Sequence, residues 1–125
     1  MVFLVTEDSR PTRNLIKSYI NEMDIGPYDV VEAENGEDAL VMVQRRPVDF
    51  VLLDWNLSTK MTGLDTLKAI RKMDQYKKTP IIMVTSESDK FKVVEALKSG
   101  ANDYVVKPID KKSFTEKVTK NIYHG

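Results

Sequence analysis

Five short runs dominate the pattern of this chain: Val2-Phe3-Leu4-Val5, Asp29 to Ala33 around Val30-Val31, Phe50 to Leu53, Ile81 to Val84, and Tyr104-Val105-Val106. A strand whose successive side chains are nearly all apolar has no face to offer to water, so it must be covered on both sides. The intervening stretches supply that cover. Leu15, Ile16, Tyr19, Ile20 and Met23 recur at helical spacing, as do Ala39, Leu40 and Val43, then Leu64, Leu67 and Ile70, then Val94 and Leu97, and finally Phe114, Val118 and Ile122. Strand and helix therefore alternate five times. That order predicts an α/β domain with a parallel sheet, helices on both faces and right-handed crossovers.

Local punctuation supports these boundaries. Ser9 and Pro11 open the first helix, because proline lacks only an amide proton that a first turn leaves unpaired. Asn35-Gly36 turns the chain into the second helix, which stops before Pro47. Ser88 is placed to cap the fourth helix and Gly100 to end it. A length of 125 residues fits one domain, 1–125, able to bury about two-thirds of its unfolded surface. The sequence contains no Cys, no long apolar span and no signal-peptide pattern, so a cytoplasmic chain outside any membrane is expected.

Net charge is zero, yet residues 1–56 carry 11 acids against 5 bases and residues 57–125 carry 8 acids against 14 bases. The split admits an acidic cation site beside a basic partner surface. It admits equally a plain interleaving of charges in the fold, which is the reading adopted for most of them. Lys111, Lys112, Lys117 and Lys120 read as the solvated face of the last helix, and nothing points to nucleic acid. The only histidine, His124, lies at the chain end and is no candidate ligand.

The informative feature is what terminates the strands. In an open parallel sheet a ligand binds beyond the carboxyl ends of the strands, where strand order reverses. Glu7-Asp8 end the first strand, Asp54 the third, Thr85 the fourth and Lys107 the fifth, so these side chains converge on one crevice. Each alone has an ordinary structural reading: a turn former, a helix-dipole partner, a β-branched strand residue, a solvated amine. Together, three carboxylates call for a hard cation such as Mg²⁺. One carboxylate is left to act as nucleophile toward phosphorus, with the metal and the Lys107 ammonium spreading the charge on the phosphoryl oxygens. Asp54 is the candidate for that attack.

Glu7-Asp8, Asp54-Trp55-Asn56, Thr85 and Lys107-Pro108 resemble the signature of bacterial response regulator receiver domains, the single-domain chemotaxis type above all, over nearly the whole chain. The resemblance implies a flavodoxin-like (βα)5 fold with strand order 2-1-3-4-5. It implies that Asp54 is the phosphoacceptor, Asp8 a direct Mg²⁺ ligand, Glu7 a ligand largely through water, and Asn56 a ligand through its backbone carbonyl. It further implies a cis bond between Lys107 and Pro108, and a switch in which Thr85 moves onto the phosphoryl group and Tyr104 swings inward. Tyr104 alone would otherwise be a packing residue, and Trp55 reads as a lid on the crevice.

Asn56 and Glu87 occupy the positions that tune hydrolysis in such receivers, and both match the fast-decaying type. The implied partners are a sensor histidine kinase or phosphotransfer protein and a downstream target at the face made by helix 4, strand 5 and helix 5, with a monomer expected before phosphorylation. Such a chain catalyses its own phosphorylation and dephosphorylation rather than a metabolic reaction. One departure stands out: Ser58 replaces a common proline, and the segment Asn56 to Gly63 is one residue longer than usual, which leaves that loop freer.

Three other classes compete. A phosphorylation-independent interaction module on the same fold would have lost a site residue, and none is missing. A phosphatase with an aspartate nucleophile would want a second Asp where Asn56 stands. A flavin carrier would want a phosphate-cradling loop where Glu7-Asp8 would repel the ligand.

Overall fold

The computed structural model describes residues 1–57, 59–86 and 90–124, the His124 side chain excepted. Strands β1 (Val2–Thr6), β2 (Asp29–Ala33), β3 (Phe50–Asp54), β4 (Ile81–Thr85) and β5 (Asp103–Val106) alternate with helices α1 (Arg10–Asn21), α2 (Gly36–Arg45), α3 (Gly63–Arg71), α4 (Lys90–Lys98) and α5 (Lys111–His124). All strand pairs are parallel, in the order β2-β1-β3-β4-β5, as the resemblance implied.

The apolar runs are divided residue by residue between two cores, because successive side chains on a strand point to opposite faces. Leu4, Val51, Leu53, Ile81 and Met83 meet α2, α3 and α4 through Ala39, Val43, Leu67, Ile70 and Ala96. Phe3, Val5, Phe50, Leu52, Ile82, Val84 and Val105 meet α1 and α5 through Ile16, Ile20, Phe114 and Val118. The polar ends of the strands are thereby left as the places where charge can gather.

The helix starts expected at Ser9 and Asn35 are capped as the sequence indicates, and the structure adds a cap at Thr62. The Ser9 hydroxyl accepts from Thr12 N, Asn35 Oδ1 accepts from Asp38 N at 2.8 Å, and Thr62 with Asp65 forms a reciprocal capping box. Gly100 ends α4 with φ +112°, a conformation open to glycine. The proposed cap Ser88 lies outside the described residues.

Three sequence expectations are corrected. Leu15 is exposed rather than on the inner face of α1. Val94 and Leu97 are exposed too, and α4 instead turns Val93 and Ala96 inward. Small Ala96 lets the helix settle against Met83 of β4, whereas weighting by bulk put the helical stripe in the wrong phase. Lys117 is not part of a solvated face: its ammonium donates to the Tyr104 carbonyl, lies 3.7 Å from Asp103 Oδ1 and sits 4.3 Å from the centre of the Tyr104 ring. The half-exposed start of β5 offers it a carboxylate, a carbonyl and a π face at once, so its stem lies along the protein.

Gly63 fixes how α3 leaves the β3 end. Its N–H donates to Trp55 O at 3.1 Å, and a Cβ there would stand 2.2 Å from the Asp54 carbonyl oxygen and 2.7 Å from Trp55 Cα. Those atoms are backbone and cannot rotate away. Gly63→Ala is expected to lower the unfolding free energy by about 1–3 kcal/mol in urea titration; an unchanged midpoint would mean that the segment after β3 yields to the added methyl.

Candidate functional site

Register brings the strand ends together. Thr6 pairs with Leu53, which sets Glu7 beside Asp54, and Asp54 pairs with Val84, which sets Thr85 one residue further on. The chain runs from β1 outward to β2 and returns to β3 on the other side of β1, so the reversal of strand order lies under these residues. The ladder continues just past the strands: Glu7 N donates to Ala33 O, Trp55 N to Val84 O, and Lys107 N to Thr85 O. Lys107 precedes Pro108 through a cis peptide bond, as expected.

Glu7 and Asp54 are each only 1% exposed, while Asp8 is open to solvent. The Lys107 ammonium lies 3.1 Å from Glu7 Oε2 and 3.2 Å from Asp54 Oδ2, reaching across the end of β4 on its flexible stem. Asp54 Oδ1 accepts from Asn56 N at 3.1 Å, a local turn that aims the carboxylate. Glu7 Oε1 accepts from Ser9 N at 3.2 Å, while Oε2 is buried and makes no well-directed hydrogen bond despite its proximity to Lys107.

These surroundings perturb the titrating groups. Burial, followed by the adjacent Asp54 carboxylate, pushes Glu7 from the usual 4.5 up to about 7, and Lys107 only partly offsets this. Burial opposes the charge on Lys107, but Asp54 and Glu7 together outweigh it and raise its pKa. Two buried acids and one half-buried base leave negative charge in excess.

One oxygen from each of Glu7, Asp8 and Asp54 lies within 4.8 Å of the others. The donor set is all oxygen, one buried carboxylate oxygen lacks a hydrogen bond, and one ligand faces water. That combination fits a hard divalent cation that retains part of its hydration shell.

Thr85 is buried and shares a small apolar niche with Trp55, Met83, Val93, Ala96 and Tyr104. Trp55 is therefore a wall packed on the core beside α4, more than a lid. Asn56 Nδ2 reaches Ser86 Oγ at 3.4 Å. Glu87 and Ser58 lie outside the described residues. Within the longer segment, the Thr59 hydroxyl donates to Glu37 Oε1 of α2 at 2.7 Å.

Sequence reasoning missed Arg13, which is 5% exposed and whose guanidinium donates to the carbonyls of Glu7 and Asp8. Periodicity could have signalled its burial, since Arg13, Ile16 and Ile20 stand at i, i+3 and i+7 on the buried stripe of α1, but not its partners.

Comparison with known proteins gives a consistent result. The profile of the response regulator receiver domain matches residues 3–119. The chemotaxis protein CheY of Pseudomonas aeruginosa is 37% identical over 120 residues, 96% of this chain and 94% of that one. CheY1 of Helicobacter pylori is 40% identical over 119 residues, 94% of each. Among solved structures, Vibrio cholerae CheY4 superposes with a TM-score of 0.85 at 32% identity over 95% of this chain and 96% of that one. The receiver domain of NtrX from Brucella abortus shares the fold, with a TM-score of 0.86 at 24% identity over 98% and 99% of the two chains.

The Glu7 shift has a definite sign. Between about 4.5 and about 7 the unfolded chain releases a proton that the folded one keeps, so in chelator-treated buffer stability falls as pH rises through this window and levels off above it. Glu7→Gln removes the group. Between about pH 5 and about pH 8 the parent is expected to lose on the order of 1–3 kcal/mol relative to this variant in urea titrations, and parallel pH profiles would contradict the shift.

Proposed function

The chain belongs to the response regulator receiver domains, the phosphorelay domains of two-component signalling, and on that premise we propose that Asp54 is its phosphoacceptor, loaded by a sensor histidine kinase or phosphotransfer protein. The observation that carries this reading is the Lys107 ammonium held against both Asp54 and Glu7 at the reversal of strand order. Receiver domains bind Mg²⁺ at an acidic pocket, and Glu7, Asp8 and Asp54 form such a group here. Asp8, Asp54 and the Asn56 carbonyl would hold the ion directly, with Glu7 acting largely through water. When bound, the ion would neutralise the excess carboxylate charge and the charge on the phosphoryl oxygens.

The residues divide the work. Asn56 N holds Asp54 Oδ1, leaving Oδ2 beside the Lys107 ammonium. A carboxylate oxygen attacks phosphorus in line, the bond to the donor imidazole breaks, and that nitrogen leaves with its electron pair. Lys107 steadies the transferred oxygens. Thr85 then turns its hydroxyl to the phosphoryl group, and Tyr104 moves into the niche they share. The shift extends only as far as the phosphoryl group contacts one state better than the other. The face of α4, β5 and α5 would present the altered state to a downstream protein, with the unphosphorylated chain a monomer. Asn56 and Glu87 would orient the water that hydrolyses the aspartyl phosphate.

Incubation with Mg²⁺ and acetyl phosphate, followed by rapid intact-mass spectrometry and Trp55 fluorescence, tests the reading. The parent is expected to gain one phosphoryl group and to change its emission at each addition, whereas Asp54→Asn keeps only the metal response. Labelling that persists in folded Asp54→Asn would place the acceptor elsewhere.

A further inference from the structure

The geometry points to Arg13 as a positioning residue for the cation site, holding the turn from which Glu7 and Asp8 project; this rests on the proposed role of those two carboxylates. Arg13 lies on the buried stripe of α1, yet its guanidinium is fully engaged along two directions. Toward the site, Nη1 donates to the Glu7 carbonyl at 2.7 Å and approaches the Asp8 carbonyl at 3.4 Å. Toward β2, Nε donates to Glu32 Oε1 at 3.1 Å and Nη2 lies 3.6 Å from Glu34 Oε1.

A planar guanidinium can serve both ends at once because its donors form a rigid fork. Its charge is matched by Glu32 and Glu34, so its burial does not rest on the site carboxylates. What it gives the site is direction. Residues 7 and 8 lie between the end of β1 and the Ser9 cap of α1, and the orientation of their peptide units sets where their carboxylates point. Glu7 N is held by β2 through Ala33 O, and Glu7 O is held by Arg13, which β2 also anchors. The same strand thus fixes both edges of the peptide backbone around Glu7. A hydrated divalent cation with few direct protein ligands depends on such prealignment, and losing an outer partner of a ligand typically weakens metal binding tenfold or more.

Isothermal titration of Mg²⁺ into the chelator-treated protein tests this, with near-UV circular dichroism to confirm folding. Arg13→Met, which keeps the stem but removes the fork, is expected to raise the Kd about tenfold, and Arg13→Lys to recover part of the loss. Glu32→Gln with Glu34→Gln removes the charge but keeps an amide oxygen at each position to accept from Arg13, so the anchor and both carbonyl bonds stay in place; it is expected to bind as the parent does, so a loss of stability alone would not mimic the effect. A folded Arg13→Met with the parent's affinity would overturn the inference while leaving the site reading intact, as would an equal loss in the Glu32/Glu34 double variant. A parent that binds no Mg²⁺ would overturn the site reading and this inference together. Should Arg13→Met not fold, Arg13→Lys decides by the same comparison with the parent.

Discussion

Two buried carboxylates and one ammonium set the terms for the rest of this molecule. Glu7 and Asp54 lie at the ends of adjacent strands with almost no exposure, and burial of ions is costly unless they are paired. Lys107 pairs with both, yet a single positive charge cannot balance two negative ones and the exposed Asp8 besides. The folded chain therefore carries a local excess of negative charge, relieved in part by the raised pKa of Glu7. A site with this excess gains from a bound cation, which offsets the carboxylates and any further negative charge brought to them.

The sheet makes that arrangement possible. Its central strands β1, β3 and β4 are apolar on both faces, so within them charge has no place along the length and is confined to the ends. Parallel register then lines up the carboxyl ends at one edge, and the return from β2 to β3 across β1 opens the crevice between Glu7 and Asp54. Close backbone packing at Gly63 sets the direction in which α3 leaves the end of β3. On the far side, Arg71 donates to the Gly100 carbonyl and to Asn102, whose side chain in turn accepts from Ile81 N, so the start of β4 and the approach to β5 are held together.

Around this rigid centre the α4 side is packed differently. Only Ala96 of α4 is fully buried, and the helix leaves Phe91, Val94 and Leu97 exposed. Its inner surface closes the niche between Thr85 and Tyr104, and Lys117 clasps Tyr104 from α5. A helix held by so little buried surface can shift at lower cost than α2 or α3, whose inner faces are embedded in the core.

The sequence by itself determined the alternation of strands and helices, the two-faced burial of the sheet and the gathering of Glu7, Asp8, Asp54, Thr85 and Lys107, because each follows from local periodicity or from position at a strand end. It did not decide which side of α4 faces inward, since Val94 and Leu97 are as apolar as any core residue and only contact with Met83 and Trp55 selects Ala96 instead. Nor did it reveal that Lys117 would leave solvent for Tyr104 and Asp103, or that Arg13 would reach back to the carbonyls of residues 7 and 8. A long cationic side chain has the same local propensities whether it is solvated or clamped. Its partners here come from other strands and turns, so only the assembled sheet decides which arginine and which lysine become part of the site.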